Sequence, residues 1–361
     1  MRRTHGRVID VDSLADFDGR LRSGARSLDG WRLRGIDLGE RGAELRSLEV
    51  SGALFLGCLL RPEDGESVRS RGAIVFPAIP DVPVDTYRSR LYRPEELYDD
   101  ADYLRSTDAR VYAWSQHENS TDTALAQALH DHSIGQALEE WRQDRRLVGV
   151  MGGHSTGRGT PAYADGARLG QLLSRTLTVA SGGGPGAMEA VNLGGYLAGY
   201  GERAVTEAVR MLETVPSFVP SIGDWARAAF EVRSRFPEGT DSLGIPTWHY
   251  GHEPPNVFAS AIAKYFRNAQ REAILLEICE AGIVFLPGAG GTVQEIFQDA
   301  CENYYADESS TAPMVLVGRE YWTERHPAWP LLQSLAKGRP MEEHVHLVDT
   351  VDEAAAVVQE R

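Results

Sequence analysis

Two kinds of hydrophobic pattern divide this 361-residue chain. Up to about residue 122 the apolar residues come as short pulses between glycines and charged residues, with firmer strand candidates at 53–60 and 72–77. A long helical pattern follows, and strand and helix patterns then alternate to the end. The sequence therefore predicts an N-terminal accessory α+β region over 1–122, a connecting helix over 123–146 and a Rossmann-like α/β domain over 147–361.

The alternation within the last part of the chain indicates its architecture. Strands are predicted at 147–151, 176–180, 242–248, 283–286 and 313–317. Helices are predicted at 161–173, 188–195, 204–212 and 258–279 and from residue 292 onward. Such alternation predicts a parallel sheet with helices on both faces. Ligands of such sheets bind beyond the carboxyl ends of the strands.

Three glycine-rich turns, which begin at Gly152, Gly182 and Gly288, each follow a predicted strand and precede a predicted helix. In the third, Pro287–Gly291 interrupts an apolar run before Thr292 opens a helical periodicity. Backbone N–H groups and the positive end of a helix then point at one place, which is how proteins hold a phosphate. We therefore expect an anion site at this edge of the sheet.

Thr292 and Glu295 also fit a capping box, in which the threonine takes the N-cap and the glutamate bonds back to the N-cap N–H. On that interpretation Glu295 is only a structural cap. A second glycine-rich segment of the same build, around Gly182, favours the functional interpretation instead.

Charge and composition restrict the ligand. The chain carries 52 acidic and 37 basic residues, a net charge of −15, which argues against nucleic acid or an anionic membrane as a partner. Three scattered cysteines suit neither a disulfide framework nor a zinc cluster, and Cys279 and Cys301 are predicted to be buried free thiols. No stretch is apolar enough to span a membrane, so a cytoplasmic protein is predicted.

Three local patterns offer other chemistry. Ser155 lies in a G-x-S-x-G pattern, which predicts a serine hydrolase, but no helix pattern follows it directly. The turn from Gly182 matches the G-x-G-x-x-A of dinucleotide enzymes, without the acidic residue expected after the next strand. His249 and His252 suggest a metal, but they lie in a Pro- and Gly-rich loop, and no metal is predicted.

Taken together, the segments 182–190 and 287–295 are more specific than either alone. They resemble the LONELY GUY (LOG) family, long labelled "lysine decarboxylase-like", whose signature is GGG…GxM followed by PGGxGTxxE. The resemblance extends over about 147–335, and the larger bacterial nucleotide 5′-monophosphate nucleosidases of this superfamily also have an added N-terminal domain. Ala289 replaces the second glycine of the signature, which a negative φ would permit.

The resemblance implies hydrolysis of the N-glycosidic bond of nucleoside 5′-monophosphates to free base and ribose 5-phosphate, with no cofactor. It assigns catalysis to Glu295 and Arg271, with Arg267 as the alternative arginine, and Trp248 or Tyr250 can stack on the base. The expected substrate-binding residues are Gly152, Gly153, Ser155, Gly182, Gly183, Gly184, Gly186, Met188, Gly288, Gly290, Gly291 and Thr292. It also implies a homo-oligomer, a dimer or larger. The alternative within the same fold is a non-catalytic carrier of a nucleotide or of molybdenum cofactor.

Overall fold

The computed structural model describes residues 8–117, 121–250 and 253–360. These residues form two compact units, one of 8–90 with 121–137 and the other of 91–117 with the described residues from 138 to 360. The units divide the chain differently from the predicted domains, because residues 91–117 group with the C-terminal part of the chain. The domain boundaries predicted from the sequence therefore remain a prediction.

The first unit is a stack of strand-and-helix repeats. Its elements are β1 (Ile9–Val11), α1 (Leu14–Arg22), β2 (Trp31–Arg34), α2 (Gly42–Ser47), β3 (Leu54–Leu56), α3 (Pro62–Ser70) and β4 (Ile74–Phe76), together with the first part of the helix Thr121–Arg142. The strands pair in parallel in chain order, so that Val11, Leu33, Phe55 and Val75 are aligned across the sheet. The apolar pulses predicted as strands at 53–60 and 72–77 are strands, and the short helices between them were not predicted.

The second unit contains one seven-stranded parallel sheet. Its helices are α4 (Pro94–Leu97), α5 (Thr107–Ser115), the end of α6 (Thr121–Arg142), α7 (Pro161–Leu173), α8 (Ala187–Tyr196), α9 (Glu202–Leu212), α10 (Ile222–Arg235), α11 (Asn268–Glu277), α12 (Gly290–Tyr305), α13 (Ala328–Ala336) and α14 (Val351–Gln359). Its strands are β5 (Leu147–Met151), β6 (Thr178–Ser181), β7 (Leu243–Gly244), β8 (Ala261–Ile262), β9 (Ile283–Phe285), β10 (Met314–Val317) and β11 (Val345–Val348). The strand order is β11-β10-β9-β5-β6-β7-β8.

This architecture confirms the predicted fold class, an α/β fold with a Rossmann-like parallel sheet flanked by helices. Every residue of the central strands β5 and β9 and of their neighbour β10 is buried, which is why these strands read as uninterrupted apolar runs. Because β9 and β6 pair on either side of β5, the turns that follow these three strands lie at one edge of the sheet.

Two predictions about elements and one about a cysteine are wrong. The helix predicted over 258–279 is limited to Asn268–Glu277, because the residues before it include the buried strand Ala261–Ile262. The strand predicted over 242–248 has two residues, Leu243–Gly244. Cys301 is exposed, whereas Cys279 is buried as predicted.

No helix in the described ranges is both long enough and apolar enough to cross a membrane.

Candidate functional site

A cavity of about 660 Å³ opens beyond the carboxyl ends of β5 and β9. It is the edge at which the sequence predicts a ligand. The predicted site residues that line this cavity are Gly152, Gly153, Ser155, Met188, Arg271, Gly288, Gly290, Gly291, Thr292 and Glu295.

The start of α12 forms one wall of this cavity. The helix begins at Gly290 with Ala289 as N-cap, and no side chain caps it. The predicted capping box is therefore wrong, since Thr292 lies inside the first turn. Ala289 has φ of −105°, a negative value that does not require the glycine of the family signature. A Cβ on Gly290 or Gly291 would meet no atom within 4 Å, so open space adjoins these glycines.

The uncapped helix start is suited to an anion. The first N–H groups of any helix lack intrahelical acceptors, and here no side-chain oxygen replaces them. The helix dipole adds a partial positive charge at the same end. A phosphate group in the cavity would satisfy both.

Glu295 and Arg271 form a buried charged pair beside this helix start. Arg271 Nη1 lies 3.6 Å from Glu295 Oε1, and the two side chains are only 8% and 13% exposed. Within the described residues, Nε and Nη1 of Arg271 are buried without a hydrogen-bond partner. Arg271 also lines the cavity, whereas Arg267 does not, which favours Arg271 in the predicted role.

The carboxyl group of Glu295 is held close to its point of ionisation. Burial raises its pKa to about 7, against the opposing effect of the neighbouring Arg271 charge, and the charges of Glu272 and Glu253 raise it further. A carboxyl group with this pKa exchanges a proton readily at neutral pH. Its position on α12, one turn after Gly291 and Thr292, places it beside the anion site.

The turn from Gly182 supports the cavity without lining it. Gly182, Gly183, Gly184 and Gly186 are not among the lining residues, in contrast to the prediction that they contact the ligand. A Cβ on Gly182 would lie 2.7 Å from Met188 Sδ, and one on Gly184 would lie 2.9 Å from Met188 Cε. The glycines therefore let the Met188 side chain pack against the turn, and Met188 takes the place at the cavity wall.

Gly186 has a second structural role. Its φ is +72°, and a Cβ there would lie 2.5 Å from the carbonyl oxygen of His154. Only glycine permits this conformation and this approach without strain. The turn before α8 is thereby held against the Gly152–Gly153 turn.

Three lining residues after β10 were not predicted. Tyr321 and Arg325 belong to a π-helical turn, Tyr321–Arg325, and His326 follows it. Tyr321 Oη donates a hydrogen bond to the carbonyl oxygen of Gly288 at 2.7 Å, and its ring stacks on His326 at 5.1 Å. The position directly after a strand was the one available signal, because loops after parallel strands gather at this edge.

The structure does not provide the geometry that two of the predicted roles require. Ser155 lies in a turn, and α7 begins only at Pro161, so no nucleophile elbow is formed. Trp248 is 2% exposed and donates from Nε1 to Asp108, so it is not placed to stack on a base, whereas Tyr250 lines the cavity.

The metal question involves His249 and His252. His252 lies outside the described residues. Among the residues that are described, no group of three or more His, Cys, Asp or Glu side chains is placed to hold a metal ion.

Comparisons with known proteins give structural likeness only. No protein-family model matches the chain. No curated protein matches it either. Among solved structures, the chain is similar to the molybdenum cofactor binding protein from the phototrophic bacterium Rippkaea orientalis, with 15% identity, a TM-score of 0.36 and coverage of 60% of this chain and 98% of that one.

Two structures of the molybdenum cofactor carrier protein from Chlamydomonas reinhardtii are also similar. One has 17% identity and covers 60% of this chain and 97% of that chain, with a TM-score of 0.36. The other has 18% identity and covers 60% of this chain and 96% of that chain, with a TM-score of 0.36. The class that the fold and cavity of this chain define is a Rossmann-like α/β protein with a candidate small-molecule site.

Proposed function

We propose that this protein is a phosphoribohydrolase of the LOG type, which hydrolyses the N-glycosidic bond of nucleoside 5′-monophosphates. The observation that carries the proposal is the buried Arg271–Glu295 pair beside the uncapped start of α12, all in one cavity. A site of this kind supplies a phosphate anchor and a carboxylate within one helical turn of each other.

In this proposal the phosphate of the substrate binds at the start of α12. The N–H groups at Gly290, Gly291 and Thr292 bind its oxygens, and the unpartnered donors of Arg271 bind a phosphate or ribose oxygen. The ribose then lies over Glu295. Holding the substrate at its phosphate fixes the sugar relative to the carboxylate, which converts binding energy into orientation.

The reaction breaks the bond between C1′ and the base nitrogen. As that bond lengthens, the electron pair leaves with the base and positive charge develops on the ribose ring, where the Glu295 carboxylate stabilises it. A water oxygen bonds to C1′, and Glu295 accepts the proton that this water loses. The proton then passes to the departing base, so that the products are the neutral base and ribose 5-phosphate.

A second candidate uses the same cavity without turnover: a carrier for a nucleotide or for molybdenum cofactor. One observation favours it. Arg325 and His326 also line the cavity, and the hydrolytic reaction gives them no role, whereas a larger anionic ligand would use them. The solved structures to which the chain is similar are a molybdenum cofactor binding protein and molybdenum cofactor carrier proteins.

Both candidates are tested by one experiment. The purified protein is incubated with AMP, GMP, CMP, UMP and N6-prenylated AMP, and free base is measured by chromatography. We expect base release, and we expect Glu295→Gln to slow it by at least about 100-fold, the usual contribution of a general base. Glu238→Gln is the matched control, since Glu238 is exposed and outside the cavity.

The outcomes separate the two functions. Calorimetric binding of AMP to the protein with no base released over hours would support the carrier and reject the hydrolase. Equal base release by the wild type and Glu295→Gln would remove the catalytic role of this carboxylate. Arg271→Gln should weaken AMP binding in either case, because both functions place the anion beside Arg271.

A further inference from the structure

A second cavity lies at the opposite, amino-terminal edge of the same sheet. Its volume is about 610 Å³, a usual size for a small-molecule site. Its lining includes Arg146, Ala281 and Ala312, which come just before β5, β9 and β10. The end of α11, the second half of α12 and the loop that follows α12 complete the wall.

The lining of this cavity is strongly acidic. Four carboxyl side chains contribute to it, while Arg146 is the one Lys or Arg among the lining residues in the described part of the chain. The acidic residues are Glu277, Glu280, Asp299 and Glu302. Asp299 and Glu302 lie on α12, and Glu277 is the last residue of α11. Glu280 lies in the turn after α11 and also pairs with Arg142 at 3.3 Å. Carboxyl groups from two segments of the chain thus give the wall a negative potential, which attracts a cation.

Asp299 provides the second observation. Asp299 is among the lining residues, it is 6% exposed, and its Oδ2 is buried without a hydrogen-bond partner in the described part of the chain. The other oxygen, Oδ1, accepts a hydrogen bond from Asn303 Nδ2 at 3.3 Å. A buried carboxyl oxygen with no partner is costly and is normally explained by a missing donor.

The pKa of Asp299 is that of a buried carboxyl group without a neighbouring cation. Burial, together with the charge of Glu302, raises its pKa to about 8. A cation bound beside it would favour the ionised form, in the way that an arginine lowers the pKa of a neighbouring aspartate.

The polar groups of the cavity wall favour an organic cation over a metal ion. As stated above, the described residues hold no cluster with metal-binding geometry. The polar groups are instead spread along the wall, where Asn303, Ser309 and Ser310 accompany the carboxyl groups. Spread acceptors suit a ligand with several N–H donors.

We propose that this cavity binds a small organic cation, a primary amine or a guanidinium, that donates hydrogen bonds to Asp299. The site is separate from the nucleotide cavity, and its ligand is recognised by charge and N–H donors. The proposal does not rest on the phosphoribohydrolase function, because it is tested by binding in the absence of any nucleotide.

The test is calorimetry on the full chain with two probes, agmatine and putrescine, and with 1,4-butanediol as the uncharged control. We expect both amines to bind and the diol not to bind. Asp299→Asn should weaken agmatine binding by about tenfold or more, the usual effect of losing a charge-assisted hydrogen bond. Glu238→Gln, which is exposed and outside this cavity, should bind as the wild type does.

A second variant guards against a folding defect in Asp299→Asn. Glu302 is exposed on the surface of α12, so Glu302→Gln should fold normally and still weaken agmatine binding, by about threefold for a partly screened charge. Thermal melting reports whether each variant is folded. The proposal is overturned if neither amine binds the wild type, if the diol binds as tightly as the amines, or if both variants bind agmatine with wild-type affinity.

Discussion

At the scale of single residues, the proposed reaction and burial favour different ionisation states of Glu295. The proposed reaction needs its ionised form, whereas burial favours the neutral one. Its folded pKa of about 7 lies above the usual value of 4.5, so between these values the folded chain binds more protons than the unfolded chain. The contribution of Glu295 to the free energy of unfolding is therefore fully present below pH 4.5 and is lost as the pH rises to about 7.

Glu295→Gln should remove this loss of stability. Because one pKa unit corresponds to about 1.4 kcal/mol, we expect the wild type to lose about 3 kcal/mol of stability relative to the variant between pH 4.5 and pH 7, while base release by the variant is slowed by at least about 100-fold. Urea unfolding at pH 5, 6, 7 and 8 measures the effect. Glu238→Gln should keep the wild-type slope. A Glu295→Gln curve parallel to the wild type would show that the carboxyl group is not buried as described.

The residue scale also shows what the sequence reveals of the site. Glu295 was proposed from the signature itself, whereas Arg271 was chosen, with Arg267 as the alternative, as the arginine that the family has on the preceding helix. Tyr321 and His326 were not predicted, because a π-helical turn has no hydrophobic periodicity to mark it. Local patterns mislead as well: Thr292 and Glu295 match a capping box, but the helix begins at Gly290.

At the scale of elements, the approach of α7 to α8 depends on two glycines. A Cβ on Gly194 would overlap the carbonyl oxygen of Ala167, and one on Gly170 would overlap that of Val191. Glycine inside a helix is normally unfavourable, so these positions are explained by close packing of the two backbones. This packing positions the start of α8, whose Met188 lines the cavity.

Gly194→Ala should therefore destabilise the protein although alanine favours helices. We expect a loss of at least about 2 kcal/mol, because backbone must move to admit the methyl group. Gly199→Ala is the matched control: a Cβ there would meet only Thr240 Oγ1, at 3.9 Å, and its effect should be under about 1 kcal/mol. Chemical unfolding of both variants decides the matter, and equal stabilities would contradict the packing described.

Element prediction succeeded where a pattern was long and pure. The strand at 147–151 and the helix at 161–173 have the predicted bounds, since the first is wholly buried and the second has a clear apolar face begun by proline. Residues 258–267 were predicted to be part of a helix over 258–279, whereas the helix begins at Asn268. Their true state depends on pairing with β7, which local sequence does not encode.

At the scale of the whole molecule, residues 91–117 belong to the unit that carries the site, although the sequence analysis assigned them to the N-terminal region. Their polarity is typical of an exposed loop. Asp108, however, is buried and accepts hydrogen bonds from Lys264 Nζ at 2.6 Å and Trp248 Nε1 at 2.9 Å. These partners are 156 and 140 positions away, and no local pattern indicates contacts at that distance.

This long-range pair gives the last prediction. The side chains of Asp108 and Lys264 are each 2% exposed, so neither charge is solvated by water. Asp108→Asn leaves a buried ammonium without its counter-charge and should cost about 3–5 kcal/mol. Lys264→Met should cost less, since Asp108 keeps the donors of Trp248 and Tyr103. The double variant should be more stable than Asp108→Asn alone, because it no longer buries an unpaired cation.

Urea unfolding of the wild type, the two single variants and the double variant completes this cycle. Asp224→Asn is the control, because its ion pair with Arg227 is exposed on both sides and should be worth less than about 1 kcal/mol. If the costs of Asp108→Asn and Lys264→Met simply add, the two residues do not interact. Residues 91–117 would then not be anchored to the sheet through this pair, and the grouping of this segment with the second unit would need another cause.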